Sequence, residues 1–437
     1  MGLLDKANAA LNFVSPFELK GSVVSSAGIL IEANGPKVPV GSHVAICTNG
    51  KEHLAQVVGF KNDNILVMPF DLVEGVTLGT EVISRDSSSG VLVSDKLIGR
   101  VIDGLGNPMD GKEAILTGEK VSLHNDPPNP VTRTRIKDCF DTGVRAINGL
   151  LTIGLGQRIG IMAGSGVGKS TLLGMIARHS DSDINVIALI GERGREVREF
   201  IEKDLGEEGI KRSIVVVATG DKSAILRIRA AFLATSISEY FRAKGKKVVL
   251  MMDSVTRLAM AQREIGLATG EPPSTKGYTP SVFAMLPKLL ERAGTCDGEG
   301  SITGLYTVLV EGDDMNEPIA DTTRGILDGH FVLDRKLAGR GHFPAIDVLQ
   351  SVSRVMPDIV SSDVVDMASE VRDLIATYRD NEDLITIGAY KAGQNLKVDR
   401  AVSLNDKING FLKQKASEKC TKEETFNMLK EILTNEG

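Results

Sequence analysis

Long hydrophobic runs are missing from this chain of 437 residues: no stretch approaches the roughly 20 apolar residues that a bilayer-crossing helix needs. A multidomain soluble protein is therefore expected, with length for roughly three domains. The first residues, Met1 to Asn12, carry an acid at Asp5 and have no long apolar core behind a basic segment. They do not read as a secretory signal, so a cytoplasmic location is expected. Cysteine is scarce and scattered. Cys47, Cys139, Cys296 and Cys420 form no C-x-x-C pair, and the six histidines offer no metal-ligand spacing beside them; the expectation is buried, inert thiols rather than a metal site. Positive charge is not in surplus either. A net charge of -6 with only 4% aromatic residues gives no footprint of general nucleic-acid binding, and no nucleic-acid partner is expected.

What is present changes texture along the chain. In residues 1–18, Leu3, Leu4, Ala7, Ala10, Leu11 and Phe13 recur at near-helical spacing. They predict a short amphipathic helix that is marginal alone and either packs on its own domain or docks on another protein. In residues 19–88 the pattern becomes short Val-, Ile- and Leu-rich runs: Gly21 to Ile31, Val38 to Cys47, Leu54 to Phe60 and Ile65 to Pro69. Turn residues punctuate them, and the spacing predicts a small antiparallel β-barrel. Ser87 to Gly90 reads as a linker. In residues 89–361 a Gly- and Pro-rich passage gives way, after Pro130, to alternating strands and helices, which predicts an α/β domain with a parallel sheet covered on both faces. From residue 362 to 437 helical periodicity dominates. Val364, Ala368, Val371, Leu374, Ile375 and Tyr378 fall on one face of a helix in a small C-terminal helical domain.

One segment carries a definite chemistry. Ala163-Gly164-Ser165-Gly166-Val167-Gly168-Lys169-Ser170 follows the apolar strand Gly160-Ile161-Met162 and opens a helix at Thr171-Leu172-Leu173. In that setting the glycines let backbone N–H groups converge on phosphate oxygens, and the helix N-terminus adds partial positive charge. Lys169 reaches the β- and γ-phosphates and Ser170 can ligate Mg²⁺. Ala163 stands where the strict pattern has its first glycine. Downstream, the apolar run Val248 to Met252 ends in Asp253, as a buried parallel strand delivering a carboxylate to the ligand edge would; Asp253 would then hold Mg²⁺ directly or through water. Glu192 and Arg193 follow the strand Val186 to Ile190. Glu192 at that edge would polarise an attacking water, and Arg193 would meet the γ-phosphate or fix the acids; the alternative is a solvated charged turn.

These segments, with Pro344-Ala345-Ile346-Asp347 running on to Ser353-Arg354, resemble in their order the catalytic subunits of rotary ATP synthases and their export relatives, from about residue 20 to about 380. Gly300 to Thr303, Val310 to Asp321 and Ile326 to His330 are most similar to the flagellar protein-export branch of that alpha/beta family. The resemblance implies a RecA-like P-loop core that binds ATP/ADP with Mg²⁺ and hydrolyses ATP. The loop Ala163 to Thr171 would cradle the nucleotide, Lys169 and Ser170 serving phosphate and Mg²⁺, Glu192 activating water, Arg193 meeting the γ-phosphate and Asp253 holding the metal. By the same resemblance Phe343 stacks on adenine, and Arg354 reaches into a neighbouring subunit's site. Non-catalytic synthase subunits have glutamine where this chain has Glu192, so a catalytic role is expected. One chain supplying both the loop and the arginine implies a homohexameric ring. The implied partners are a regulator or stator protein at the N-terminus, a stalk protein in the ring centre, export substrates with their chaperones and, indirectly, a membrane export gate. That places the ring peripherally at the cytoplasmic face of the inner membrane.

Other readings remain open at this stage. An ATPase of the virulence type of type III secretion shares the chemistry and differs in cargo; Met315-Asn316-Glu317-Pro318 favours the flagellar one. An RNA translocase ring would carry stacking aromatics in its N-terminal fold, where this chain has only Phe60 and Phe70. A non-catalytic nucleotide-binding subunit is the third alternative.

Overall fold

The computed structural model describes residues 18–85, 90–310, 312 and 314–434. The helix expected over residues 2–13 and the linker serines 87–89 lie outside the described residues. The N-terminal region forms a closed six-stranded barrel of Lys20–Ala27, Leu30–Ala33, His43–Thr48, Lys51–Lys61, Asn64–Pro69 and Glu81–Ser84, antiparallel throughout. Alternate residues such as Val23, Ile31, Val44, Ile46, Val57 and Val67 fill its interior. Two expected runs are shorter than the sequence pattern suggests. Gly21 to Ile31 breaks into a hairpin at Gly28, whose φ of +59° supplies the left-handed turn residue, with Ala27 opposite Leu30. Val38 to Cys47 becomes a strand only at His43, because Pro39 cannot donate to a ladder and Ser42 turns back to hydrogen-bond its carbonyl.

The central sheet has nine strands among the described residues. From one edge they run Ile346–Ser353, Gly329–Leu333, Arg158–Ala163, Ser301–Leu309, Lys247–Asp253, Ile184–Ile190, Ser213–Ala218 and Val101–Asp103, with Gly294–Thr295 paired beside Ser301–Leu309. All are parallel except the first and the last named. The edge strand Val101–Asp103 comes from the Gly- and Pro-rich passage and pairs with Val215–Val217. Continuous apolar runs such as Val248 to Met252 are fully buried because helices cover both faces. Val248, Leu250 and Met252 face the layer of Ala224–Ala243, Val255–Ala268 and Pro280–Leu290, while Val249 and Met251 face the layer that contains Lys169–His179.

The C-terminal helices Ser362–Thr386, Leu396–Leu412 and Lys422–Thr434 join that second layer. Val364, Ala368, Val371 and Leu374 are buried and Ile375 and Tyr378 partly so, on the expected face. Phe411, Leu412 and Leu429 share one apolar core with Ile147, Leu150 and Leu173 of the nucleotide domain. A polar joint reinforces it: buried Arg145 donates from its backbone to Gln414 Oε1 at 2.8 Å and from Nε to the Phe411 carbonyl at 2.8 Å, and pairs with Glu418. Of the thiols only Cys420 is fully buried; Cys47, Cys139 and Cys296 are half-buried, which corrects the expectation. Burial still pushes the Cys47 and Cys139 thiols up, toward the un-ionised form.

Candidate active site

Three parallel strands deliver their C-terminal ends to one edge of the sheet: Arg158–Ala163, Lys247–Asp253 and Ile184–Ile190. Ala163 is the buried last residue of its strand. Beyond it Val167 is buried and pins the loop to the core, while Gly166 and Gly168 take φ of +78° and +87°, conformations that a side chain would strain. Gly168 then caps the helix Lys169–His179, so Lys169, Ser170 and Thr171 form its first turn, where amide donors are unpaired within the helix. A cavity of about 550 Å³ opens under the loop, lined by Gly164, Ser165, Gly166, Gly168, Lys169, Ser170, Thr171, Glu192, Arg193 and Asp253. Lys169, Glu192, Arg193 and Asp253, read separately from the sequence, thus line one cavity.

The ionisable groups are arranged as a compact triad. Lys169 Nζ lies 2.5 Å from Asp253 Oδ1 and 3.5 Å from Glu192 Oε1. Burial opposes the ammonium, but Asp253 and Glu192 more than offset it and hold its pKa above the usual value. Thr307 donates from Oγ1 to Asp253 Oδ1 at 2.6 Å, fixing that carboxylate from the neighbouring strand. Burial pushes the Glu192 carboxyl up to about 7 against the pull of Lys169, with Asp253 and Glu196 adding to the rise. Its Oε1 is buried and makes no hydrogen bond, so it has capacity for a water or ligand.

The remaining expected residues sort differently. Arg193 is strongly exposed, with Nη1 3.6 Å from Glu196 Oε1; it lines the cavity from the solvent side. Phe343 is 44% exposed, and its ring lies 3.3 Å from where a side chain on Gly168 would stand. It lines a second cleft of about 600 Å³, adjoining the loop at Gly168 and Thr171 and floored by Lys413 to Ala416. The Gln414 backbone amide donates to the Phe343 carbonyl at 2.9 Å. Arg354 is far from this edge. It follows Ile346–Ser353, which runs antiparallel to Gly329–Leu333 with Ser353 opposite Gly329, at the N-terminal foot of the parallel strands. The strand Gly329–Leu333 alone separates it by roughly 13 Å from the level of the phosphate loop.

Four residues near the site escaped the sequence reading. Arg257, in the first turns of the helix after Asp253, and Arg335, two residues past the end of Gly329–Leu333, both line the cavity; a basic residue just beyond a parallel strand's end was the available signal. Glu196 also lines it. Thr307 gave no signal, because a hydroxyl inside a buried strand looks like any other strand threonine.

A hard cation fits here in company with phosphate oxygens. The Ser170 hydroxyl and the Asp253 carboxylate supply oxygen donors, and Glu192 Oε1, ion-paired with Lys169 but accepting no hydrogen bond, adds a further acceptor. Among the described residues no group of three or more acids, cysteines or histidines is placed to hold a metal by itself.

Residues 143–353 match the nucleotide-binding domain of the ATP synthase alpha/beta family, residues 23–85 the beta-barrel domain of that family and residues 360–431 the T3SS EscN ATPase C-terminal domain. The flagellum-specific ATP synthase of Bacillus subtilis (strain 168) is 54% identical over 429 residues, 98% of each chain. The type 3 secretion system ATPase of Xanthomonas euvesicatoria is 48% identical, over 94% of this chain and 93% of that one. Among solved structures, the assembled ATPase EscN in complex with its central stalk EscO, from the type III secretion system of enteropathogenic E. coli, superimposes with a TM-score of 0.88 at 46% identity, over 95% of this chain and all of that one.

Proposed function

The chain belongs to the ATP synthase alpha/beta family, in its flagellum-specific branch, and on that premise we propose that it hydrolyses ATP to ADP and phosphate to energise or prime flagellar type III protein export. The observation that carries this reading is the convergence of Lys169, Asp253 and Glu192 beneath a phosphate loop. Lys169 exchanges its carboxylate partners for the β- and γ-phosphates, which neutralises charge where it develops. Asp253, steadied by Thr307, and Ser170 hold Mg²⁺, which when bound polarises the phosphoryl oxygens. Glu192 Oε1 takes the proton of a water as that water attacks the γ-phosphorus and the bond to the β-phosphate oxygen breaks. Arg193 meets the γ-phosphate from the open side, and the adenine lies against Phe343 in the cleft beside Gly168.

Arg354 completes the site of a neighbouring subunit, in keeping with its place at the opposite edge of its own sheet. The assembly is a homohexamer. It binds a stalk protein in its centre, a regulator or stator through residues 1–18, and export substrates with their chaperones, at the cytoplasmic face of the membrane export gate. No described helix is long and apolar enough to cross a membrane.

A mixing experiment tests the shared site. Lys169→Ala chains have no working loop and Arg354→Ala chains no working arginine, so each should be inactive alone. Mixed rings contain interfaces that join an intact loop to an intact arginine, and activity should return. Co-assembly without recovery would refute the trans role of Arg354. The virulence-type reading, supported by the Xanthomonas relative at 48% identity, predicts that deleting the gene leaves motility unchanged; the flagellar reading predicts loss of motility.

A further inference from the structure

Asp328 lies at the foot of the central sheet, at the opposite end of the strands from the phosphate loop. Its carboxylate accepts three hydrogen bonds from Arg158: from the backbone amide and Nε to Oδ2, both at 3.0 Å, and from Nη2 to Oδ1 at 3.0 Å. Its own amide donates to the Arg158 carbonyl at 2.9 Å, and its carbonyl accepts from the Arg354 amide at 3.1 Å and from Gln157 Nε2 at 3.1 Å. Arg158 is 8% exposed and Gln157 is wholly buried, so these bonds form where water competes little. A buried guanidinium stripped of a partner is costly, and the two-pronged geometry fixes direction as well as distance. The backbone at residue 328 is therefore held, and with it the carbonyl from which Arg354 hangs. The Arg354 side chain, by contrast, is exposed, and among the described residues it makes one long 3.4 Å hydrogen bond, from Nη2 to the Arg324 carbonyl.

The geometry points to Asp328 as a positioning residue, which ties the root of the Arg354 side chain to the foot of the phosphate-loop strand Arg158–Ala163 and sets the height from which its guanidinium reaches the neighbouring subunit. This rests on the reading of Arg354 as acting in trans. Arg158 also pairs with Glu291 at 2.6 Å, so Asp328→Asn leaves its charge compensated and the fold supported.

The test separates this role from simple support of the subunit's own loop. Chains carrying Asp328→Asn together with Lys169→Ala are mixed with Arg354→Ala chains, so that every competent interface joins a wild-type loop on one chain to an arginine whose root has lost the Asp328 carboxylate on the other. The reference is the same mixture with Asp328 intact. Recovered activity at least tenfold below the reference, with unchanged ATP binding and co-assembly, is expected, since misplacement by an ångström can cost on the order of a hundredfold and a smaller shift proportionately less. Recovery equal to the reference overturns the proposal, whereas failure of the reference mixture itself would overturn the trans reading instead. Should the Asp328→Asn variant not assemble, Arg158→Lys, which keeps the charge but loses the fork, enters the same mixture with the same two outcomes.

Discussion

Glu192 sits between opposing influences: burial favours its neutral form, and Lys169 favours its charge. In the proposed role of base for the attacking water it must be ionised, so kcat/KM for ATP should fall on the acid side of about pH 7 with the slope of a single proton. In Glu192→Gln that limb should vanish along with turnover, while nucleotide still binds and is trapped. The same shift has a stability consequence. Between its ordinary value of 4.5 and about 7 the folded chain holds a proton that the unfolded chain has released, so stability falls as pH rises through that window and stays lowered above it. Glu192→Gln should therefore melt higher than the wild type at pH 8 and show little difference near pH 4.5. Equal differences at both values would remove the pKa assignment. The residues of this site were legible in proportion to how local their signal is. Lys169 and Ser170 announce themselves within eight positions, whereas Thr307 touches Asp253 across 54 residues and can be found only once the two strands are known to be neighbours.

At the scale of elements, the C-terminal helices are continuous with the nucleotide domain. Phe411 packs beneath Gly149, where an added methyl would stand 2.9 Å from its ring. Phe411→Ala should cost about 3–5 kcal/mol, as large buried aromatics do, and lower the denaturation midpoint without a separate early transition for residues 362–437. A two-step unfolding curve would mean the domains are independent. Helix periodicity made the buried face of Ser362–Thr386 readable, because four of the six expected residues needed only a 3.6-residue repeat to be found. The strand Val101–Asp103 was hidden for the opposite reason. Three residues offer no alternation to count, and its partner Ser213–Ala218 lies more than a hundred positions away. The break at Gly28 was equally obscure within an apolar run, since a hairpin turn needs only one residue with positive φ.

For the whole molecule, the decisive fact is that loop and arginine occupy opposite edges of one sheet. On the proposed trans role, ATPase activity should rise more steeply than in proportion to protein concentration as chains assemble, because a lone chain has no neighbour to supply Arg354. Arg354→Ala should bind ATP and assemble, yet turn over on the order of a thousandfold more slowly, with no such concentration dependence. A linear activity profile down to fully monomeric protein would argue against the shared site.

On the proposed trans role, the placement of Arg354 gives each chain a donor end and an acceptor end. Two such chains crossed about a two-fold axis would satisfy each other's ends and leave none free for a further subunit. Head-to-tail association by any other rotation either closes into a larger ring or runs on as a filament. In an open row one chain always lacks a donor and another has no acceptor, so a row has one site fewer than it has chains. Closure adds the missing site without adding a subunit, which makes the last contact worth more catalytically than any before it.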